Sequence, residues 1–92
     1  LEPELLLRSQ AALDGGDAVL AGNLLDAAVD KTSRWHFLRA QVYEKQGDYR
    51  QAAEHYLQAV DYDTMSVYGC LERCYKALED YREAYRYACL QR

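Results

Sequence analysis

Apolar residues recur along this chain at spacings of three and four, the period of an α-helix. Ala52, Ala53, Tyr56, Leu57, Ala59 and Val60 would form one broad apolar face, and Ala21, Leu24, Leu25, Ala28 and Val29 form another about thirty residues earlier. Phe37, Ala40 and Tyr43 would lie on one side of a helix between them. Polar punctuation cuts these runs into segments. Pro3 sits where a first helix begins, Gly15-Gly16 makes a turn, and Asp17 can cap the second helix. Ser33 is placed to N-cap a third helix, and Gly47 supplies the left-handed position that ends it. Asp48 caps the next helix, with Gln51 three residues on completing a capping box, and Asp80 with Glu83 repeats that pair. Thr64 is positioned to cap a fifth helix. The pattern predicts helices at about 3–14, 17–30, 34–46, 49–61, 65–78 and 81–91, an all-α fold. With one Pro and five Gly in 92 residues, there is little material for anything but tight turns between helices.

The same pattern repeats. Displaced by 31 residues, Leu7, Arg8, Gln10, Gly16, Asp17, Ala21, Ala28, Val29 and Asp30 fall on identical residues, nine identities in the 24-residue window from Leu7 to Asp30. Displaced by 32, Tyr43, Asp48, Tyr49, Arg50 and Ala52 fall on Tyr75, Asp80, Tyr81, Arg82 and Ala84, while Glu79 stands where Gly47 would be. The chain thus divides into three units of two helices each, at about 1–31, 32–63 and 64–92, within one domain. Ala21, Ala52 and Ala84 recur at one place in each unit, where a small side chain lets paired helices approach closely.

Composition narrows the function. Lys plus Arg is 11 against 15 for Asp plus Glu, a net charge of −4. That balance argues against nucleic acid, whose phosphates call for a basic face, and against an anionic membrane surface. No apolar run approaches the roughly 18 residues of a membrane span, and no secretory or transit leader is visible. Cys70, Cys74 and Cys89 are an odd set for disulfides, and with His36 and His55 they show no metal-ligand spacing. Buried free thiols in a reducing, cytoplasmic setting are the expectation, with no metal and no cofactor. A phosphate-binding Gly loop, HExxH and GxSxG are all absent, and neither histidine has a Ser or Cys placed to pair with it, so an enzyme is not expected.

The segment Ala40, Tyr43, Gly47, Asp48-Tyr49, Ala52, Tyr56 and Ala59 resembles the tetratricopeptide repeat family, whose units are helix–turn–helix and about 34 residues long. The third unit keeps Tyr68, Leu71, Tyr75, Asp80-Tyr81 and Ala84, and the first keeps Leu5, Gly16, Ala21, Leu25 and Ala28. There are departures: Trp35 sits one place early, with His36 where the family's Trp would be, Thr64 replaces the usual Pro, and Glu72 stands where a small residue is expected. The resemblance implies a right-handed superhelix of about six antiparallel helices that binds a helix or peptide of another protein. Its concave face would be lined by the first helix of each pair. The implied groove residues are Leu6, Gln10 and Leu13, then Arg34, Phe37, Gln41, Glu44 and Lys45, then Ser66, Gly69, Arg73 and Lys76. Equally, Phe37 and Leu6 can be ordinary packing between helices and the charges merely solvated. The family's Lys/Asn carboxylate clamp is not expected, since Leu6 and Gln10 occupy those places. Arrays of this kind normally end in a covering helix. Tyr85, Ala88, Cys89 and Leu90 have none, which predicts an end-of-stack interface with a second copy or another protein. An adaptor module, a small chaperone similar to those of bacterial type III secretion subunits, and a self-associating structural repeat are the functions the resemblance implies.

Overall fold

A computed structural model describes residues 2–92, and residue 1 of the first repeat lies outside it. It contains six helices: α1 (Glu2–Asp14), α2 (Ala18–Asp26), α3 (Ser33–Lys45), α4 (Tyr49–Leu57), α5 (Thr64–Ala77) and α6 (Tyr81–Leu90). Among the described residues there is no strand. The helices pack as three hairpins, α1 with α2, α3 with α4 and α5 with α6, and each hairpin leans on the next through α2 against α3 and α4 against α5.

One local device builds all three hairpins. At the end of α1, Gly16 N–H bonds Leu13 C=O at 3.0 Å and Asp17 N–H bonds Ala12 C=O at 2.8 Å. The same paired bonds recur from Gly47 and Asp48 to Glu44 and Tyr43, and from Glu79 and Asp80 to Lys76 and Tyr75. This closure places one residue in the left-handed region. Gly16 and Gly47 do so at φ +82° and +80°, and Glu79 does so at φ +60° despite its Cβ. The next residue is in each case an aspartate that opens the following helix. Asp17 accepts from Leu20 N–H at 3.0 Å, Asp48 from Gln51 N–H at 3.2 Å and Asp80 from Glu83 N–H at 3.3 Å.

The links between hairpins differ from the sequence reading. Thr32, not Ser33, caps α3: its hydroxyl accepts from Trp35 N–H at 3.2 Å, and Ser33 is already helical. Asp63, not Thr64, caps α5, accepting from both the N–H and the hydroxyl of Ser66, while Thr64 turns its own hydroxyl back onto Val60 C=O at 2.8 Å. The helices α2 and α4 stop at Asp26 and Leu57, four residues short of the expected ends. Bonds from Ala28 N–H to Leu25 C=O and from Ala59 N–H to Tyr56 C=O wind the chain tighter there. A repeat of 31 or 32 residues leaves too little chain for two full helices and a link, so the last apolar positions serve the link. Ala28 and Ala59 remain buried, but Val29 is 83% exposed and Leu57 is also exposed, so neither completes the face expected of it.

Two apolar cores result, and α3 contributes to both. The first joins Leu6, Ala12, Leu13, Ala21, Leu25 and Ala28 to Trp35, Leu38 and Val42. The second joins Ala40, Ala52, Ala53, Tyr56 and Ala59 to Val67, Leu71, Cys74 and Tyr87. Ala21, Ala52 and Ala84 are all buried between paired helices, as their recurrence predicts. Trp35 faces backwards: it belongs to the first core, and its indole N–H donates to Leu25 C=O at 2.9 Å. That explains why it stands one place early in its own unit. All three thiols are free, but only Cys74 is buried. Burial pushes the Cys74 thiol up to about 12, so it stays protonated; Cys70 and Cys89 are half-buried, against the expectation for all three.

Candidate functional site

Phe37, Gln41, Glu44 and Lys45 follow one another at helical spacing and share one face of α3. That face is the middle of an open groove of about 650 Å³. Gln10 of α1 closes it on one side and Cys70 and Arg73 of α5 on the other, with Tyr49 and Tyr56 of α4 beneath.

The floor is a polar knot on an aromatic base. Tyr56 is fully buried, and its hydroxyl donates to Glu44 Oε1 at 2.7 Å. Arg73 grips the same carboxylate with two nitrogens, Nε on Oε2 and Nη2 on Oε1 at 2.9 Å, and Nη2 also lies 3.4 Å from Cys70 Sγ. Burial works to raise the Glu44 carboxyl, but the bonds from Arg73 and Tyr56 outweigh it and hold the group below the usual carboxylate range. The bond to Glu44 in turn raises Arg73, against the opposing effect of burial, so the guanidinium is permanently charged. Burial, then Glu44, raises Tyr56, so its hydroxyl remains a donor. Phe37 stands edge-on to Tyr56 at 5.8 Å and tilts against Tyr62 at 5.2 Å, which fixes an apolar wall at one end. At the other end Lys45 is exposed and makes no ion pair among the described residues, and the Arg73 side chain is 57% exposed although it holds Glu44. With Glu44 neutralised by Arg73, Lys45 leaves the lining net positive on a chain that is net negative.

Of the residues expected in the groove, Gln10, Phe37, Gln41, Glu44, Lys45 and Arg73 line it together. Leu6 and Leu13 do not: both are buried in the first core against α2 and α3. Arg34 is not among the lining residues, and Lys76 is paired with Glu72 at 2.8 Å along α5. Ser66 belongs to the α5 cap, and Gly69 faces the Gln91 carboxamide beyond α6. Glu72, the residue too large for its place, reaches that same carboxamide at 2.8 Å and so ties α5 to the end of α6. Sequence reasoning missed Tyr49, Tyr56 and Cys70 as lining residues. Cys70 was legible, since it stands three residues before Arg73 on the same face of α5. Tyr56, expected on an apolar helix face, belongs to core and groove alike: its ring is buried while its hydroxyl reaches the groove.

At the end of the array, Tyr85 is 70% exposed and Leu90 is exposed, while Ala88 and Cys89 are half-buried. The repeat register gives this face a meaning. The position of Tyr85 corresponds to Ala53 in the second hairpin and Gly22 in the first. A Cβ on Gly22 would lie 3.2 Å from Arg39 Nη1 and 3.6 Å from Val42 of the next hairpin. Both internal seams thus carry a small residue where α6 carries a tyrosine.

Residues 33–64, spanning α3, α4 and the link to α5, match the family model of the tetratricopeptide repeat. No curated protein and no solved structure matches the chain at a significant level. Among the described residues no helix is long and apolar enough to cross a membrane. The match is confined to the middle hairpin and the link after it, and the array of six helices around it is consistent with helical repeats of that kind.

Proposed function

We propose that this chain is a non-catalytic interaction module whose groove between α1, α3 and α5 holds a short segment of another protein. Tetratricopeptide repeats in general mediate protein–protein interactions. The observation that carries the reading is the groove's polarity: an aromatic end at Phe37, and at the other end the cation of Lys45, unpaired among the described residues, beside the Arg73–Glu44 pair. A segment with an apolar or aromatic side chain a few residues from an Asp or Glu is the complementary ligand. Gln41, half-buried on the lining, offers a carboxamide that can both donate to and accept from a peptide backbone. The volume of about 650 Å³ suits a few residues rather than a domain. Free thiols fit a reducing compartment such as the cytoplasm. Partner capture at the end of the array, by Tyr85 and Leu90, would need a surface that accommodates the tyrosine instead of another hairpin in register.

Selection of random peptides displayed on phage tests this reading. Peptides enriched on the wild-type chain should carry acidic and apolar residues, and should lose binding at least tenfold on Lys45→Glu and on Phe37→Ala. Enriched peptides that bind both variants as well as the wild type would place the binding surface elsewhere.

A further inference from the structure

Outside the groove, the α3–α4 hairpin is joined by a pair of imidazoles. His36 of α3 and His55 of α4 meet edge to edge, 25° between ring planes and 5.2 Å between ring centroids, with their Nδ1 atoms 2.9 Å apart. The half-buried rings have aromatic neighbours: Tyr43 stacks on His55 at 5.5 Å, and Trp35 stands edge-on to His36 at 5.0 Å and to His55 at 5.8 Å. Two Nδ1 atoms at this distance share one proton. One ring donates its N–H and the other offers a lone pair, so the neutral pair is two opposite tautomers. A single added proton can enter on a far Nε2 without breaking that bond. A second cannot, because both Nδ1 atoms would then be donors, head to head, on two cations in contact.

The surroundings give the charged forms little help. Lys31, from the link before α3, lies over Trp35 at 4.4 Å from its ring centroid and acts on His36. Arg39 of α3 lies over Tyr43 and acts on His55, while its own charge is partly met by Asp26 of α2. Glu54 of α4 favours the charged form of His55 but does not prevail. Burial and then Lys31 hold His36 below 6.5, and burial, His36 and Arg39 do the same for His55.

We propose that this histidine pair is an acid-sensitive latch, which clasps α3 to α4 when neutral and forces the hairpin open when both rings are protonated. In the unfolded chain both rings titrate near their ordinary 6.5. The folded values are lower, so as pH falls through 6.5 the unfolded state takes up protons first. Stability is therefore full above about pH 7.5 and declines as pH drops through 6.5 toward the folded values. Phe37 and Tyr56 directly follow the two histidines in the chain and form the groove's aromatic base, so an opened latch would also disorder the groove. That consequence depends on the groove being the binding surface; the latch does not.

The whole chain, without any ligand, provides the test. Trp35 is its single tryptophan and touches both rings, so its fluorescence should report their protonation. Melting temperature and Trp35 fluorescence would be followed from about pH 8 to about pH 5, for the wild type, His36→Gln and His55→Gln. NMR of the imidazole Cε1–H protons gives the two titrations in the wild type alone. The expected result is a level melting temperature down to about pH 7, a fall of several degrees by about pH 5, and a fall at most half as large in each variant. Both histidines should titrate below 6.5 and in separated steps. A wild-type melting temperature that stays level to about pH 5 would overturn the latch, as would variants that decline as steeply as the wild type. Should a variant not fold, wild-type histidines titrating together at or above 6.5 would overturn it equally.

Discussion

The two cores of this molecule are built on the same hairpin scaffold from different chemistry. The first, around α1, α2 and one face of α3, is aliphatic apart from Trp35: Leu6, Leu13, Leu25, Leu38 and Val42 fill it. Its polar atoms are few and are met by backbone, Ser9 Oγ on Ala21 C=O at 3.1 Å and Trp35 Nε1 on Leu25 C=O. The second, around the other face of α3 and α4 to α6, is lined with rings. Tyr56 and Tyr87 are buried, and Phe37, Tyr43, Tyr49, Tyr68 and Tyr75 pack around them. A leucine core ends at its own surface. A tyrosine carries an apolar ring inward and a hydroxyl outward, so a core made of it must present polar atoms somewhere. Here they emerge in the groove, where Tyr56 meets Glu44 and Arg73. The aliphatic half supplies cohesion, and the aromatic half gives up some of it for a surface with specific hydrogen-bonding groups.

If that division is right, the largest loss of stability should come from the aliphatic side. Leu25 is fully buried in the first core. Leu25→Ala should cost about 2–5 kcal/mol, from lost transfer energy and the cavity left behind. Urea unfolding followed by circular dichroism measures it. A loss below about 1 kcal/mol would mean the first core can collapse around the gap and is not the stabilising half. The close approach of paired helices comes next. Ala52 is fully buried between α3 and α4, whereas Ala27, at the end of α2, is exposed. Ala52→Leu should cost about 1–3 kcal/mol by overpacking and Ala27→Leu less than about 0.5 kcal/mol. Equal melting temperatures for the two variants would show that the helix pairs are not held at contact distance by the small residue.

The aromatic half is better probed by a smaller change. Tyr56→Phe keeps the ring and removes the hydroxyl that donates to Glu44, for an expected loss of about 0.5–1.5 kcal/mol at neutral pH. It also moves the acid limb. The Glu44 carboxyl sits below 4.5 in the folded chain, so its contribution is complete above that value and disappears as pH falls through the folded value. Without the Tyr56 bond that folded value rises toward 4.5, so the acid loss, which begins near 4.5 in both chains, should be smaller and level off at higher pH in the variant. An acid loss as deep as in the wild type would mean that Tyr56 contributes nothing to the Glu44 titration.

Much of this arrangement was legible in the sequence, and the exceptions have physical causes. The three hairpins were readable because their turn needs a left-handed residue followed by a capping aspartate, and few residue types meet either demand. The links were misread because periodicity does not say when a helix stops: Val29 and Leu57 keep the apolar period after the chain has left α2's register or reached α4's end. Repeat correspondence points Leu6 and Leu13 into the groove, yet both are buried in the first core with Trp35 and Leu38, since correspondence between repeats does not say which face of a terminal helix is covered. The histidine pair was not legible at all. His36 and His55 stand 19 residues apart with no spacing that marks a contact, and only the crossing of α3 over α4 brings their nitrogens together.

The smallest expected effect concerns the one turn that departs from its pattern. Gly16 and Gly47 end α1 and α3 in the left-handed region, where the absence of a Cβ removes the steric penalty. Glu79 ends α5 in the same way at φ +60°, with the same two backbone bonds, to Lys76 at 3.0 Å and, through Asp80, to Tyr75 at 2.8 Å. The bonds are therefore not weakened by the substitution; the cost lies in the side chain. A residue with a Cβ loses roughly 1–2 kcal/mol in this region. Glycine avoids that but is freer in the unfolded chain, which offsets part of the gain. Glu79→Gly should therefore stabilise the chain by about 0.5–1 kcal/mol, read as a rise in denaturant midpoint without a change in slope. The reverse change, Gly47→Glu, should lose a similar amount if the turns are equivalent. A Glu79→Gly variant no more stable than the wild type, beside a Gly47→Glu variant that is clearly destabilised, would show that the third turn has relaxed around its glutamate while the second has not.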